Sequence, residues 1–549
     1  LRDLRHRSRD MGWILRGLIK TGGFTDHDLE HPIVQIVNTW SEWNPGHNHL
    51  RYVSEAVKRG VWSAGGFPLE YNTLSLCPGQ TLPNRNLLAM ETESVFLSEP
   101  ADAAVFICTC DKDVPAMLMA AARVNIPSVF VLGGAMLPGR WRGEDVVCCS
   151  DWQRFDPERR AGLISDEEWS EFLECVLPCS GACGPMGTAN TDQSIAEALG
   201  MALPGAASVP AVTARLPALA EESGRAVMQL LKEDIKPRDI MTSKALENAV
   251  RVLMAIGGST NLVIHLIALA RMLDLGLSLE RFDELSRETP YIVNVKPSGR
   301  YAAVDLNRAG GIPAVMKEIG SLLYLDALTV TGKTVGENIA RAEVKDRDVI
   351  YPLEKPIFPE GGLAILKGNL APDGAVIKQV GARNKSLLDH EGPALVFNSS
   401  PEAYKALLNE DLDATPEHVL VLRYEGPKGN VMPETGSLPI PTRLAKKGVR
   451  DIVRVTDSRM SGTTSETIVL HVSPEAYVGG PLAAVQDGDS IELDVKRRRL
   501  EVKLTDKEIR RRLERWRPPE PRYNYKRGPL ALWYQFCEQA DKGCVYPFM

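Results

Sequence analysis

Beyond about residue 360 the chain stops spelling helices and becomes a series of short β-rich runs. These are L-A-I-L-K (363–367), A-V-I-K-Q-V (375–380), A-L-V-F-N (394–398), V-L-V-L-R-Y (419–424), D-I-V-R-V-T (451–456), I-V-L-H-V-S (468–473), S-I-E-L-D-V (490–495) and L-E-V-K-L-T (500–505). Eight short strands with Gly, Pro and Asp between them bury a common face only by closing or stacking, so a barrel or sandwich is predicted. Helical patterns dominate before that point, and 549 residues are too many for one hydrophobic core. The expected architecture is an α/β N-terminal domain with a parallel sheet and many helices (1–355), followed by a β-barrel-like domain (356–549). The proline-bearing Y-P-L-E-K-P-I-F-P-E (351–360) is the natural linker.

Residues 101–134 read as one βαβ unit. A-A-V-F-I-C (103–108) suits a buried strand, P-A-M-L-M-A-A-A-R-V (115–124) a helix, and S-V-F-V-L-G-G (128–134) a second strand. Such a crossover implies parallel strands, and open α/β sheets bind ligands at their carboxyl ends. Cys110-Asp111-Lys112 falls at that end. It sets a soft thiol beside a hard carboxylate, so one loop could serve two different metals. Further helices are expected over 191–203, with Thr191 as cap, and over 243–256 and 261–273. The G-G-S-T break (257–260) would leave backbone N–H groups open to an anion.

Charge and cysteine usage narrow the class. A formal net charge of −7 argues against a nucleic-acid partner, and no apolar run is long enough for a membrane span. Ten cysteines without a C-x-x-C pair predict neither a disulfide scaffold nor a common zinc finger. Reduced thiols in the cytoplasm are expected. L-R-D-L-R-H-R-S-R at the start reads as an internal beginning, which leaves a lost targeting segment open. The basic runs at 496–499 and 510–512 are expected to be solvated faces.

Several ordered motifs carry a resemblance. T-C-D-K-D-V-P-A (109–116), G-A-C-G-P-M-G-T-A-N (181–190), G-G-S-T-N (257–261), V-M-P-E (431–434), D-S-R-M-S-G-T (457–463) and H-V-S-P-E-A (471–476) resemble, in order, the dihydroxy-acid/6-phosphogluconate dehydratase family. N-T-W-S-E (38–42) and V-K-R-G-V-W-S-A-G-G-F-P-L-E (57–70) are more similar to its sugar-acid (aldonate) branch. The resemblance implies elimination of water from a 2,3-dihydroxy sugar acid to give a 2-keto-3-deoxy acid, with an iron–sulfur cluster and Mg2+. It implies cluster thiolates at Cys110 and Cys183, with [2Fe–2S] favoured over [4Fe–4S]. Magnesium ligands are implied at Glu93, Asp111, Glu434 and a carbamylated Lys112. Ser461 would be the base and Thr463 its neighbour, with Lys112 part of the catalytic set. A homodimer or homotetramer is implied, with a small-molecule substrate.

The bland readings are a helix cap for Asp111 and satisfied core histidines for His265 and His471. One position departs from the family pattern. Where a third cluster cysteine belongs, the chain has Asn44-Pro45-Gly46-His47-Asn48-His49. His47 or His49 could supply an imidazole, Cys77 could swing in, or the cluster could be absent. The alternative functions are a branched-chain dihydroxy-acid dehydratase, a 6-phosphogluconate dehydratase, and a catalytically degenerate paralogue with a binding or structural role.

Overall fold

The apolar run at 103–108 becomes the strand around which the N-terminal half is built. The computed structural model describes residues 9–77, 82–99, 101–160, 162–462, 465–522 and 526–549. Strands β1 (Ile33–Asn38), β2 (Phe67–Asn72), β3 (Ala103–Cys108) and β4 (Ser128–Leu132) form a parallel sheet in the order β2-β1-β3-β4. Every residue of β1, β3 and β4 is buried, as a parallel sheet covered on both faces requires. The expected βαβ unit is present, its helix running Asp113–Val124. Phe106 of β3 packs between Phe96 and Phe130. Helices Leu50–Ser63 and Arg215–Glu233 approach closely at Gly60 and Gly224, where a Cβ would lie 2.1 Å from Glu221 O and 2.4 Å from Val57 O. Any larger residue would force that pair apart.

A small lobe follows β4. Strands β5 (Gly139–Trp141) and β6 (Glu144–Val146) form a hairpin, and helices Ser150–Arg160 and Asp166–Val176 close over Trp141, Phe155 and Phe172. The next predicted helix runs Thr188–Ala198 rather than 191–203. It stops before Gly200, whose φ of +85° leaves the helical region. Thr191 is therefore not its cap; inside the helix, its hydroxyl donates to Gly187 O at 2.7 Å. Helices Ser243–Ala255 and Asn261–Met272 flank the G-G-S-T turn as expected.

All eight predicted β-runs become strands. They are β7 (Ala364–Gly368), β8 (Ala371–Ile377), β9 (Asp389–Phe397), β10 (Val419–Leu422), β11 (Val453–Thr456), β12 (Ile468–Ser473), β13 (Ser490–Asp494) and β14 (Arg499–Val502). The sheet closes in the order β10-β11-β12-β8-β7-β14-β13-β9, mixing parallel and antiparallel pairs. The two-residue period sorts β10. Val419 and Val421 share a core with Val453 and Val455, while Leu420 and Leu422 pack with Ala403 and Leu407 of helix Ser400–Leu407.

Polar contacts tie the barrel to the sheet domain. Arg498 belongs to a run expected to be solvated, yet it is buried and donates to Asp283 and Glu360, at 2.6 Å each. Arg85 reaches across to the carbonyls of Gly543 and Cys544 at 2.8 and 2.9 Å. The 351–360 stretch is stitched to the sheet domain by a bridge between Tyr291 and Phe358. Among the described residues no helix is long and apolar enough to cross a membrane.

Candidate active site

The loops at the carboxyl ends of β1 to β4 converge, where a doubly covered parallel sheet leaves its crevice. The β3 loop is braced by Asp113, not by Asp111. Asp113 Oδ2 accepts from Thr109 N and Thr39 Oγ1 (3.1 Å each) and meets His47 Nε2 at 2.7 Å. Asp111 is thus left for other work.

That work is with the barrel. Lys112 Nζ is 2.5 Å from Asp111 Oδ2 and 3.1 Å from Glu434 Oε1. Arg459 and Asn261 donate to the same Glu434 oxygen at 2.5 and 3.2 Å. Glu434 is carried there by V-M-P-E, in which Val431 and Met432 both hold left-handed backbone (φ +53° and +52°), a strain typical of functional turns. Thr188 pins the backbone of Ser461, its N and Oγ1 reaching Ser461 O at 3.0 and 2.5 Å. Thr463 lies outside the described residues. The G-G-S-T turn gives side chains rather than open N–H groups. Ser259 N bonds Thr191 Oγ1 and Asn261 N bonds Ser259 Oγ, at 3.2 Å each.

The surroundings are buried and hold charges of both signs. Burial and the field of Arg459 push His471 down to about 3, and its ring nitrogens have no hydrogen-bond partner among the described residues. Burial, then Arg85, Arg459 and Lys112, hold His265 well below its ordinary value, so both rings are neutral. His265 Nδ1 lies 3.1 Å from Arg85 NH1. Neither ring is a fully satisfied core histidine. Burial raises Asp192 well above the carboxylate range, with Asp111 adding to the effect, and its Oδ2 has no described partner. Burial alone drives Lys378 down to about 7; its Nζ lies 3.5 Å from Gly462 O, one residue beyond Ser461.

Glu93 is not part of this group. Its carboxylate takes Arg123 Nε and NH2 at 2.6 and 3.0 Å, and Arg123 sits in the last turn of the helix whose first turn follows Lys112. Glu91 instead accepts from Thr73 Oγ1, just past the carboxyl end of β2. Two positions apart on a helix means opposite faces, so at most one of the pair points to the crevice. Hard oxygens from Asp111 and Glu434 flank one point now held by an ammonium, which suits a divalent cation such as Mg2+.

The thiols gather beside this centre. Cys110 contacts Cys77, and a Cβ on Gly46 would lie 2.5 Å from Cys110 Sγ. Cys183 lies with Cys148 and Cys149, all three sulfurs within 4.8 Å of one another. The 44–49 loop rests on the 180–183 loop through Gly181 N to Pro45 O and Ser180 Oγ to Asn48 Oδ1, at 2.8 and 2.7 Å. His47 has both ring nitrogens engaged, by Asn44 and Asp113. His49 uses Nε2 on Gly133 O at 2.7 Å.

Known family models cover almost all of this framework. Dihydroxy-acid/6-phosphogluconate dehydratase N-terminal matches residues 31–338, and the corresponding C-terminal model matches 348–544. The chain belongs to the dihydroxy-acid/6-phosphogluconate dehydratase family. It is similar to the L-arabinonate dehydratase of Rhizobium leguminosarum bv. trifolii, 44% identical over 97% of this chain and 93% of that one. It is equally similar to dihydroxy-acid dehydratases. That of Methanothermobacter thermautotrophicus is 43% identical over 96% of this chain and 97% of its own length, and that of Moorella thermoacetica 44% over 96% and 97%. This dehydratase is therefore a hydro-lyase.

Dehydratases of this family use an iron–sulfur cluster and magnesium. The magnesium donor set fits the residues present; the three-thiolate set does not, because Gly46 has no side chain. The motifs placed Cys110, Asp111, Lys112, Cys183, Glu434 and Ser461 along the chain, but Asn261 and Arg459 were missed as individuals. Both stand inside quoted motifs, G-G-S-T-N and D-S-R-M-S-G-T. Lys378, Asp192 and the Cys148-Cys149 pair carried no signal beyond their residue types.

Proposed function

We propose that this dehydratase removes water from an aldonate to give a 2-keto-3-deoxy acid. The supporting observation is the likeness of residues 38–42 and 57–70 to the sugar-acid branch. A cavity of about 440 Å³ mixes Arg154, Lys296, Arg383 and Lys385 with Asp151, Tyr291, Ile357 and Phe358, and none of Asp111, Lys112, Glu434 or Ser461 lines it. It reaches Ser465, four residues along the chain from Ser461. Its cations suit the carboxylate that aldonates and branched dihydroxy acids share, so the choice between them rests on the sequence likeness.

Magnesium would be held by Asp111, Glu434, Glu91 and Lys112. The Lys112 amine, on adding CO2 and losing a proton, becomes a carbamate oxygen donor. The bound cation would stabilise the negative charge that develops on the substrate's carboxylate and 2-hydroxyl oxygens as the C2 proton leaves. Ser461, as its alkoxide, takes that proton. The C2–C3 double bond forms as the C3–O bond breaks, and the departing hydroxide recovers the proton and leaves as water. The enol then tautomerises to the keto acid. A serine hydroxyl needs activation to act as a base. Arg459 orients Glu434, and the Lys378 amine sits behind Gly462. Buried His265 and His471, held neutral, add no charge to the interior.

The test is an initial-rate panel with Mg2+, comparing C5 and C6 aldonates with a branched 2,3-dihydroxy acid and 6-phosphogluconate. Faster turnover of an aldonate, scored as 2-keto-3-deoxy acid, supports the reading. Preference for the branched acid or the phosphorylated substrate would overturn it.

A further inference from the structure

Cys110 lies against Gly46, where the family's ligand set is one short, and the loop bearing Cys183, which groups with Cys148 and Cys149, rests on the Gly46 loop. Their arrangement identifies a replacement. Two thiolates on one tetrahedral metal at about 2.3 Å stand about 3.8 Å apart. Cys148 and Cys149 have Sγ atoms 3.8 Å apart, and Cys183 completes a trio within 4.8 Å. That spacing is also ordinary sulfur–sulfur contact, so which thiol can serve as a ligand is decided by where each one faces.

The trio is not uniform. Cys148 is buried with Trp141, Phe155 and Phe172 in the core of the small lobe, whereas Cys149 and Cys183 sit at the edge of that core, partly exposed. Cys149 is also the member that feels the Glu434 carboxylate and the Cys77 thiol, so it faces the oxygen-donor centre and the second thiol group. Its backbone is left-handed, with φ at +63°. Asp151 fixes that turn by accepting from Val147 N and Lys296 Nζ at 2.7 Å each. The competing ligand His47 would first have to abandon Asp113, which braces the Cys110 loop.

We infer that Cys149 supplies the thiolate missing at Gly46, so that Cys149, Cys183 and Cys110 hold the iron–sulfur cluster of this dehydratase. The inference rests on the dehydratase reading proposed above. The cluster would be held by the small lobe as well as by the sheet loops, within reach of the Glu434 side of the carboxylate centre. Cys77 remains a neighbour of Cys110 and Cys148 a core residue.

The experiment is anaerobic reconstitution of the full chain with ferrous iron and sulfide, followed by iron and sulfide analysis and visible and electron paramagnetic resonance spectra. Wild type is compared with Cys149→Ser, Cys148→Ser and Cys77→Ser. The expected result is a loaded wild type, loss of iron, sulfide and visible absorption in Cys149→Ser, and retention of all three in Cys148→Ser and Cys77→Ser. Gly46→Cys placed on the Cys149→Ser background is expected to restore loading, which a variant that merely fails to fold would not do. A Cys149→Ser protein with wild-type iron and spectrum overturns the inference and leaves the dehydratase reading standing. So does loading lost only in Cys77→Ser. A wild type that takes up neither iron nor sulfide overturns both.

Discussion

Lys378 is the residue at which the structure works hardest against itself, and replacing it with methionine separates stability from function. The amine is fully buried, no carboxylate among the described residues pairs with it, and burial alone lowers it from 10.5 to about 7. That displacement corresponds to roughly 4 to 5 kcal/mol of free energy opposing the folded state. The sign follows from proton counts. Between about 7 and 10.5 the unfolded chain keeps the Lys378 proton and the folded chain has lost it, so stability rises with pH across that window. Below about 7 the full cost is present; above 10.5 it has vanished. Lys378→Met, of similar length and with no charge to desolvate, is expected to be several kcal/mol more stable than wild type near pH 6.5. The difference should narrow steadily toward pH 10. Urea midpoints and slopes for both proteins at about four pH values would measure it. Parallel stability profiles would refute the reasoning, as would a variant less stable at the acid end. Turnover should fall in the same variant, because the amine stands behind Ser461. Unchanged turnover would show that the charge serves no catalytic purpose.

Other outcomes follow from the same geometry. Glu434→Ala removes the shared acceptor of Lys112, Arg459 and Asn261, so activity should vanish and a stability loss of about 3 kcal/mol should appear in denaturant unfolding. Glu91→Ala should abolish Mg2+-dependent turnover, while Glu93→Ala, which breaks only a partly exposed pair with Arg123, should cost at most about 1 kcal/mol and leave kcat near wild type. A steady-state Mg2+ titration of both variants decides between them. Arg498→Ala strips two carboxylates of a buried partner at the junction of barrel and sheet. Its thermal unfolding should begin several degrees earlier than that of wild type, without a change in KM.

Local signals and long-range ones were unequally legible. Every strand of the barrel could be read because alternation within four to nine residues is a local property, and Val419 to Leu422 shows that alternation sorting barrel interior from outer layer. The βαβ unit around Cys108 was legible for the same reason. Arg498 was misread as a surface charge because its partner Asp283 lies 215 residues away in the chain. Glu93, expected among the magnesium ligands, pairs with Arg123 instead, because a motif fixes a helix but not which of two alternating carboxylates faces the crevice. Thr191 has the chemistry of a cap, but the helix starts one turn earlier, and its hydroxyl serves the turn at Ser259 instead.

Those misreadings share a cause that bears on the chemistry. Desolvation and charge pairing are set by which loops meet, and in this fold the loops of a parallel sheet meet a strained turn from a barrel. Asp111 and Lys112 come from one unit and Glu434 and Arg459 from the other, and the Lys112–Glu434 pair joins the two, so the oxygen-donor centre exists only where the units meet. Separating them would leave Lys112 with Asp111 alone and would strip Glu434 of Lys112 and Asn261, at a buried junction. Docking of the two units and assembly of the oxygen-donor centre are then one event. Occupancy of that centre by a divalent ion should stabilise the junction as well as enable turnover. Added Mg2+ should therefore raise the thermal midpoint of wild type and lose that effect in Glu434→Gln, as differential scanning fluorimetry over an Mg2+ series would report. Equal shifts in both proteins would mean that the ion binds elsewhere.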